Sequence, residues 1–170
     1  RELSRNSLQA TGVPGSVAGL LDALERFGTM SREQVLIPAI LLAEEGIILN
    51  EDLAGQFQNN LRAFQQYPAS MEKFSNNGVP YQAGDLWQQP DLAVTLKLIS
   101  ANGRDGFYKG PIADLLVASM QAYNGLISHR DLETYEPVWR EPVHGLYRGH
   151  DIWAMSAPSS GGVLLVQMLN

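Results

Sequence analysis

The chain has 170 residues, a formal net charge of −6 and no cysteine. Its hydrophobic share of 45% and charged share of 18% are typical of a globular protein with room for one hydrophobic core. The acidic balance argues against a nucleic-acid partner and a polybasic membrane anchor, and the lack of cysteine excludes disulfides and thiolate metal ligands.

Neither end of the sequence reads as the end of a complete protein. The first residues, 1–6, have no apolar segment of the kind found in signal peptides, and no apolar run approaches the roughly 20 residues that cross a bilayer. The chain begins without Met, and residues 160–170 predict a truncated helix. We therefore interpret residues 1–170 as a single domain or as a fragment of a larger subunit, without a membrane partner.

The first three-quarters of the chain predict helices. Residues 1–11 are polar and predict a flexible arm, whereas residues 12–135 show apolar side chains at helical spacing and predict a helical layer. Start signals recur along this layer: Ser31 with Gln34 and Ser128 with Asp131 have the spacing of a capping box, and Asn50 precedes another apolar repeat. Gly106–Gly110 is interpreted as an aromatic connector. The expected inward residues of the helix beginning at Pro111 are Ile112, Leu115, Leu116, Met120 and Tyr123.

The apolar period changes from 3.6 to 2 after this layer. Residues 138–156 predict a β-hairpin with strands at Val143–Tyr147 and His150–Met155 around Arg148 and Gly149. The fold class predicted from the residues is therefore mostly α with one late β-hairpin, that is, α+β.

Metal ligands are scarce in this sequence. The histidines are His129, His144 and His150, and the hairpin register pairs Tyr147 with His150. That register puts His144 and His150 on opposite faces of the hairpin, and no HExxH or EF-hand pattern occurs. We expect no metal site and no cofactor. The acidic residues Glu44, Glu45, Glu51 and Asp52 admit a paired-carboxylate site, but the stronger interpretation is structural, because acids stabilise a helix start and solvate an exposed helix face.

The candidate site residues lie where the hairpin meets the last helix, at Ser159, Ser160, Gly161 and Gly162. Three interpretations stay open. The serines can cap the helix while the glycines permit close packing, the helix N-terminus can face an anionic substrate, or one hydroxyl can act as a nucleophile. Capping is favoured over either site role. For a nucleophile, GxSxG is absent and no Ser-His-Asp arrangement follows from the spacing.

Several short motifs, taken together and in order, resemble the large subunit of the γ-glutamyltranspeptidases. They begin with Gly12-Val13-Pro14-Gly15-Ser16-Val17-Ala18-Gly19 and end with Pro158-Ser159-Ser160-Gly161-Gly162. Between these lie Gly84-Asp85, Gln89-Pro90-Asp91-Leu92-Ala93, Phe107-Tyr108-Lys109-Gly110, Asp131-Leu132 and Tyr147-Arg148-Gly149. Each motif is weak alone, and the resemblance rests on their order and spacing from about residue 7 to the end.

The resemblance implies a fragment of an N-terminal-nucleophile hydrolase with an αββα sandwich. Its precursor would cleave itself, and a threonine at the start of the small subunit would attack γ-glutamyl amides such as glutathione. The family's threonine lies beyond this chain, and Thr11, Thr29, Thr95 and Thr134 do not match its motif. The family's carboxylate-binding arginine precedes Gly12 and is absent, so no catalytic residue transfers, and the chain alone is expected to be inactive.

The implied partners are the small subunit of the same precursor and a γ-glutamyl substrate, and the implied location of the full-length protein is periplasmic or secreted. Two alternatives stay open: a non-catalytic helical interaction or scaffold domain, and a related amidase acting on poly-γ-glutamate or a cephalosporin side chain. A fragment would also expose apolar surface near the hairpin and final helix, and self-association there is expected.

Overall fold

The structure is a computed structural model that describes residues 7–170. The chain divides into two compact units, Arg1–Tyr135 and Glu136–Asn170. Part of the predicted flexible arm, residues 1–6, lies outside the described residues. The remainder of that segment includes a single 3₁₀ turn, Leu8–Ala10, in which the Gln9 backbone N–H donates to the Ser7 hydroxyl at 3.3 Å.

The described part of the first unit consists mainly of helices. In chain order these are α1 (Ser16–Phe27), α2 (Arg32–Glu45), α3 (Glu51–Phe64), α4 (Pro68–Phe74), α5 (Pro90–Asn102), α6 (Asp105–Tyr108), α7 (Gly110–Ala122) and α8 (His129–Thr134). Short strands lie between them, at β1 (Ile47–Ile48), β2 (Ser75–Asn76), β3 (Val79–Pro80) and β4 (Leu86–Trp87). The mostly helical class predicted from the sequence is confirmed.

The predicted helix caps are present. Ser31 accepts a hydrogen bond from the Gln34 backbone N–H at 3.2 Å, and the Gln34 side chain accepts from the Ser31 N–H at 2.8 Å. Ser128 and Asp131 form the same reciprocal pair at the start of α8. The Asn50 side chain accepts from the Leu53 N–H at 2.8 Å. These local bonds set where α2, α3 and α8 begin.

The expectation of a single late hairpin is wrong. Strand β1 pairs antiparallel with β4, and β2 pairs with β3 across a tight turn at Asn77 and Gly78. Gly106–Gly110 is also not a plain connector, since α6 occupies most of it. Strands of two residues carry no apolar alternation long enough to detect in a sequence, so only their partners define them.

Two clusters of buried side chains hold the first unit together. One gathers around Tyr108 and Leu132, both at 1% exposure or less, where α1, α6, α7 and α8 meet. The other centres on Leu49, Ala54 and Phe57. In this second cluster Phe57 lies 5.3 Å from Phe74 and 5.1 Å from Trp87, measured between ring centroids.

The buried face of α7 differs from the predicted one. Of the expected inward residues, Met120 is buried, but Leu115 is 69% exposed and Tyr123 is 62% exposed. The helix instead buries Ala113 and Val117 beside Met120. An almost wholly apolar helix has no dominant stripe, and a small alanine allows the closest approach to Tyr108 and its neighbours.

The second unit is a hairpin with a helix. Strands β5 (Val143–Tyr147) and β6 (His150–Ala154) pair in the predicted register, which matches Tyr147 with His150. Its two turn residues, Arg148 and Gly149, both have positive φ. Helix α9 (Gly161–Leu169) then packs on the hairpin. Within the described residues no helix is both long enough and apolar enough to cross a membrane.

Candidate functional site

The hairpin-to-helix junction is built differently from a simple serine cap. Ser160 occupies the N-cap position of α9, but its φ of −79° and ψ of −18° are helical, and its side chain makes no capping bond. An N-cap hydroxyl reaches the first-turn N–H groups from an extended backbone, which Ser160 does not adopt. The Ser159 hydroxyl accepts instead from the Gly161 N–H at 3.3 Å. The predicted capping role therefore belongs to Ser159 and not to Ser160.

The two glycines at the junction have different surroundings. Gly162 is buried, and a Cβ added there would lie 2.2 Å from the Met155 carbonyl oxygen and 2.9 Å from the Ala154 Cβ. A Cβ added to Gly161 would meet nothing closer than the Ser159 hydroxyl at 3.5 Å. Of these two glycines, only Gly162 is required for the close approach of α9 to the hairpin.

The nucleophile interpretation finds no support in the geometry of the second unit. The His144 Nε2 lies 2.6 Å from Asp151 Oδ1, and its ring stacks on Trp153 with 4.1 Å between ring centroids. These contacts hold the His144 side chain on the exposed face of the hairpin. Within residues 136–170, neither Ser159 nor Ser160 has a histidine hydrogen-bond partner, and a serine nucleophile needs such a base.

The other candidate ligands and acids also have local explanations. Within residues 7–170 no three His, Asp or Glu side chains come together in a way that could hold a metal ion. Glu44 pairs with Lys97 at 2.6 Å, and both side chains are half exposed. Glu51 and Asp52 lie in the first turn of α3, where negative charge stabilises the helix dipole. A paired-carboxylate site is therefore not supported here.

The threonine hydroxyls in the described helices donate hydrogen bonds to backbone carbonyls of the same helix. Thr95 donates to the Asp91 carbonyl at 3.0 Å, and Thr134 donates to the Arg130 carbonyl at 2.8 Å. Both bonds are the i to i−4 type that turns a hydroxyl inward along its helix. Neither threonine is presented as a nucleophile.

Tyr108 is a firmly held polar side chain that the sequence placed in a family motif without assigning it a role. The hydroxyl of Tyr108 donates to the Pro14 carbonyl at 2.5 Å and accepts from the Ala18 N–H at 3.2 Å. Its ring stacks on Tyr135, with centroids 5.9 Å apart. Burial raises the pKa of the Tyr108 phenol, so it stays protonated and keeps donating. The signals in the sequence were the pair of aromatic residues in the connector at 106–110 and the motif Phe107-Tyr108-Lys109-Gly110.

The sequence of the chain is similar to that of known proteins. The sequence model described as Gamma-glutamyltranspeptidase matches residues 1–170. The "Glutathione hydrolase proenzyme" of Pseudomonas sp. (strain A14) is 43% identical over 162 residues, which are 95% of this chain and 28% of that protein. The protein of the same name from Escherichia coli (strain K12) is 41% identical over 168 residues, 98% of this chain and 29% of that protein.

Comparison with solved structures gives the same result. The crystal structure of Helicobacter pylori gamma-glutamyltranspeptidase superposes with a TM-score of 0.95 at 41% identity, covering 99% of this chain and 48% of that one. Among the relatives by sequence, the "Acylase ACY 1 proenzyme" of Pseudomonas sp. (strain SE83) is also similar, with 40% identity over 95% of this chain and 29% of that protein.

The chain spans less than a third of the length of these curated relatives. Its resemblance to them nevertheless extends from one end to the other, in sequence and in backbone. The family recognised from the ordered motifs is thereby confirmed: the chain belongs to the γ-glutamyltranspeptidase family of enzymes.

Proposed function

We propose that this chain is part of the large subunit of a γ-glutamyl transferase/hydrolase that cleaves γ-glutamyl amides such as glutathione. The observation that carries the proposal is the family match over residues 1–170. The names of the relatives support the substrate class, since two of them are glutathione hydrolase proenzymes. The word proenzyme also supports the second partner that we propose, a small subunit released from the same precursor.

The catalytic nucleophile in this proposal is a threonine outside the chain. Its hydroxyl attacks the γ-glutamyl carbonyl while its own α-amino group takes the proton. The amide C–N bond then breaks, the amine leaves with that proton, and the γ-glutamyl ester passes its acyl group to water or to an acceptor amine, which frees the threonine again. Two observations on this chain support the proposal. The hydroxyls of Thr95 and Thr134 donate to carbonyls of their own helices, and Ser159 and Ser160 have no histidine hydrogen-bond partner within residues 136–170. Residues 1–170 then supply a helical layer of an αββα sandwich and no nucleophile.

The test compares residues 1–170 with the full-length protein in release of aniline product from a γ-glutamyl anilide. We expect the full-length protein to release product and to appear as two chains on a denaturing gel. Residues 1–170 should release nothing above a buffer blank. Turnover by residues 1–170 would overturn the external nucleophile. A self-cleaved full-length protein that leaves the γ-glutamyl anilide intact would overturn the substrate class.

The cleft-wall role of Ser159, Ser160, Gly161 and Gly162 is a separate part of the proposal. Its support is that the Ser159 hydroxyl and the first N–H groups of α9 lie together at one exposed helix start. Replacing both serines with alanine in the full-length protein separates the roles. A changed KM at unchanged thermal stability supports a place beside the substrate, whereas lower stability with unchanged turnover per folded molecule leaves capping alone.

A second candidate function is a related amidase acting on poly-γ-glutamate or on a cephalosporin side chain. The observation that favours it is the acylase, which is nearly as similar to this chain as the glutathione hydrolases are. Specificity depends on the site and not on the fold. The ratio of kcat/KM values for γ-glutamyl anilide, poly-γ-glutamate and an acylated cephalosporin decides between the two, because the preferred substrate has the highest value.

The remaining alternative is a scaffold domain without catalysis. It requires a full-length sequence in which no threonine-led cleavage junction follows Asn170.

We further propose that the full-length enzyme is periplasmic or secreted. Cell fractionation that recovers γ-glutamyl anilide turnover only from the cytoplasm would contradict that location.

A further inference from the structure

A surface depression in the first unit lies where the turn between α1 and α2 meets the turn between α5 and α6. Its volume is about 560 Å³, within the range of small-molecule sites. The wall has an apolar part, formed by Leu21, Leu24 and Met30, and a polar part, formed by Thr29, Ser31, Arg32 and Arg104 with the acidic Glu25. We call this the Arg32–Arg104 depression.

Arg32 is fixed in place by the end of a neighbouring helix. Its Nε donates to the Ser100 carbonyl at 2.7 Å, and its Nη2 donates to the Ala101 carbonyl at 3.2 Å. The Nη1 group has no hydrogen-bond partner among residues 7–170 and lies over Gly103, where a Cβ would approach it to 2.7 Å. Gly103 therefore leaves open the side of the guanidinium that is free to bind.

Arg104 is fixed in the same manner. Its Nη2 donates to the Glu133 carbonyl at 3.0 Å and to the Tyr135 carbonyl, and the guanidinium carbon lies 4.9 Å from the centroid of the Tyr108 ring. Its Nε and Nη1 have no partner among the described residues. Two guanidinium groups held by backbone carbonyls lose little freedom when they bind an anion, because their side chains are already ordered.

The charges around the depression favour a negative ligand. Arg32 and Arg104 line it with Glu25 as the single acid of the lining set. Outside that set Asp105 pairs with Lys109 at 3.3 Å, whereas the Glu33 carboxylate lies 3.5 Å from Arg32 Nη2 and offsets part of its charge. Arg104 therefore supplies the larger share of the positive charge in the depression. Guanidinium groups bind carboxylate and phosphate oxygens through paired, charge-assisted hydrogen bonds.

We propose that the Arg32–Arg104 depression binds a small organic anion, with its carboxylate or phosphate group on the two arginines and its apolar body against Leu21, Leu24 and Met30. This site belongs to the large-subunit part of the protein and contains none of the candidate junction residues, Ser159, Ser160, Gly161 and Gly162. Its existence therefore does not depend on the proposed function.

The test is calorimetric titration of the full-length protein with 4-phenylbutyrate, with phenyl phosphate and with the uncharged 4-phenylbutanol. We expect saturable binding of at least one anion and none of the alcohol, and the better anion identifies the preferred head group. Binding should weaken with added salt because the contact is partly exposed. Arg32→Gln should weaken it by about tenfold, as expected for losing one charge-assisted contact.

Arg32→Gln also removes the hydrogen bonds from Arg32 to the carbonyls at the end of α5, so a second variant tests binding without this change. Thr29 is exposed in the wall, so Thr29→Asp adds a repelling carboxylate while both arginines keep their contacts. The matched control is Thr29→Asn, which has nearly the same shape and no charge. We expect Thr29→Asp to lose binding and Thr29→Asn to keep it. Absence of binding to the wild type, equal binding of the alcohol, or binding unchanged in both Arg32→Gln and Thr29→Asp would overturn the proposal.

Discussion

At the scale of single residues, Gly162 determines how closely α9 can approach the hairpin. It is a helical residue with an ordinary backbone, so its value lies in the missing side chain and not in conformational freedom. The same kind of contact occurs at Gly145, where a Cβ would lie 2.7 Å from a methyl carbon of Val166. Two glycines on facing elements therefore bring the helix against the sheet.

We predict that Gly162→Ala destabilises the protein by about 1–3 kcal/mol, the usual cost of overpacking a close contact. The added methyl group would overlap the Met155 carbonyl. Gly161→Ala is the matched control, because its methyl group has space and alanine is the better helix former. Chemical denaturation of both variants measures the difference. Equal stability of the two variants would contradict the role assigned to Gly162.

Tyr108 illustrates a residue-scale interaction of a different kind. Its hydroxyl links positions 90 and 94 residues away in the sequence, and its guanidinium neighbour Arg104 bonds to backbone 29 and 31 residues further on. Gly15 completes the arrangement, since a Cβ there would overlap the Tyr135 hydroxyl. The start of α1 is thereby tied to α6 and to the end of α8.

At the scale of elements, the short helix α8 depends on its first turn. Six residues form too few internal hydrogen bonds for a stable isolated helix, so the capping pair of Ser128 and Asp131 matters more than in the longer helices. The Asp131 carboxylate accepts from the Ser128 N–H at 2.9 Å and from its hydroxyl at 2.6 Å. These bonds lower the pKa of Asp131 below its ordinary value.

We predict that α8 loosens in acid through protonation of Asp131. Because the folded-state pKa is below the unfolded value of about 3.9, the stabilisation is present above that pH and is lost as pH falls through the folded-state pKa. The protection of the amides of residues 129–132, measured as their exchange rate relative to that of the unfolded chain at the same pH, should therefore fall below about pH 4.

The control for this prediction is on the same helix. Asp131→Asn should accelerate exchange already at neutral pH and flatten its dependence on acid, whereas Glu133→Gln should behave as wild type. An acid response of α8 that persists unchanged in Asp131→Asn would assign the effect to another group.

At the scale of the whole molecule, much apolar surface is uncovered. In the second unit Trp153 is 63% exposed, Met155 is 65% exposed and Met168 is 76% exposed. In the first unit α2 is apolar on several sides, with Leu42 at 59% exposure and Ile37 at 50%. A helix that is apolar all round is typical of a protein interior.

We predict that residues 1–170 self-associate in isolation through the hairpin and α9, because contiguous apolar surface is stabilised by burial. Light scattering should show mass rising with concentration, and the pair of changes Trp153→Ser and Met168→Gln should reduce that rise. Leu115→Gln, on an exposed position of α7, is the control for a general gain in solubility. A strictly monomeric chain at high concentration would contradict the prediction.

The sequence by itself determined those features that depend on residues close together in the chain. The capping pairs at Ser31 and Ser128, the register of β5 with β6 and the ordered family motifs all belong to this class. A cap needs only a side chain three residues from its N–H partner, and a two-residue turn sets a hairpin register. The candidate junction was located for the same reason, although its capping hydroxyl proved to be that of Ser159.

Only the tertiary structure decided which faces are buried and which distant groups meet. Strand β1 pairs with β4, which lies about forty positions further along the chain. Helix α7 buries Ala113 and leaves Leu115 exposed, and Arg32 and Arg104 line the same depression. The sequence of an apolar helix without a dominant stripe does not show which face is buried, so packing determines its orientation. A strand of two residues is too short for an alternating pattern and is defined only by its pairing. Contacts between residues far apart in the chain depend on the energy of the assembled fold, which local periodicity does not record.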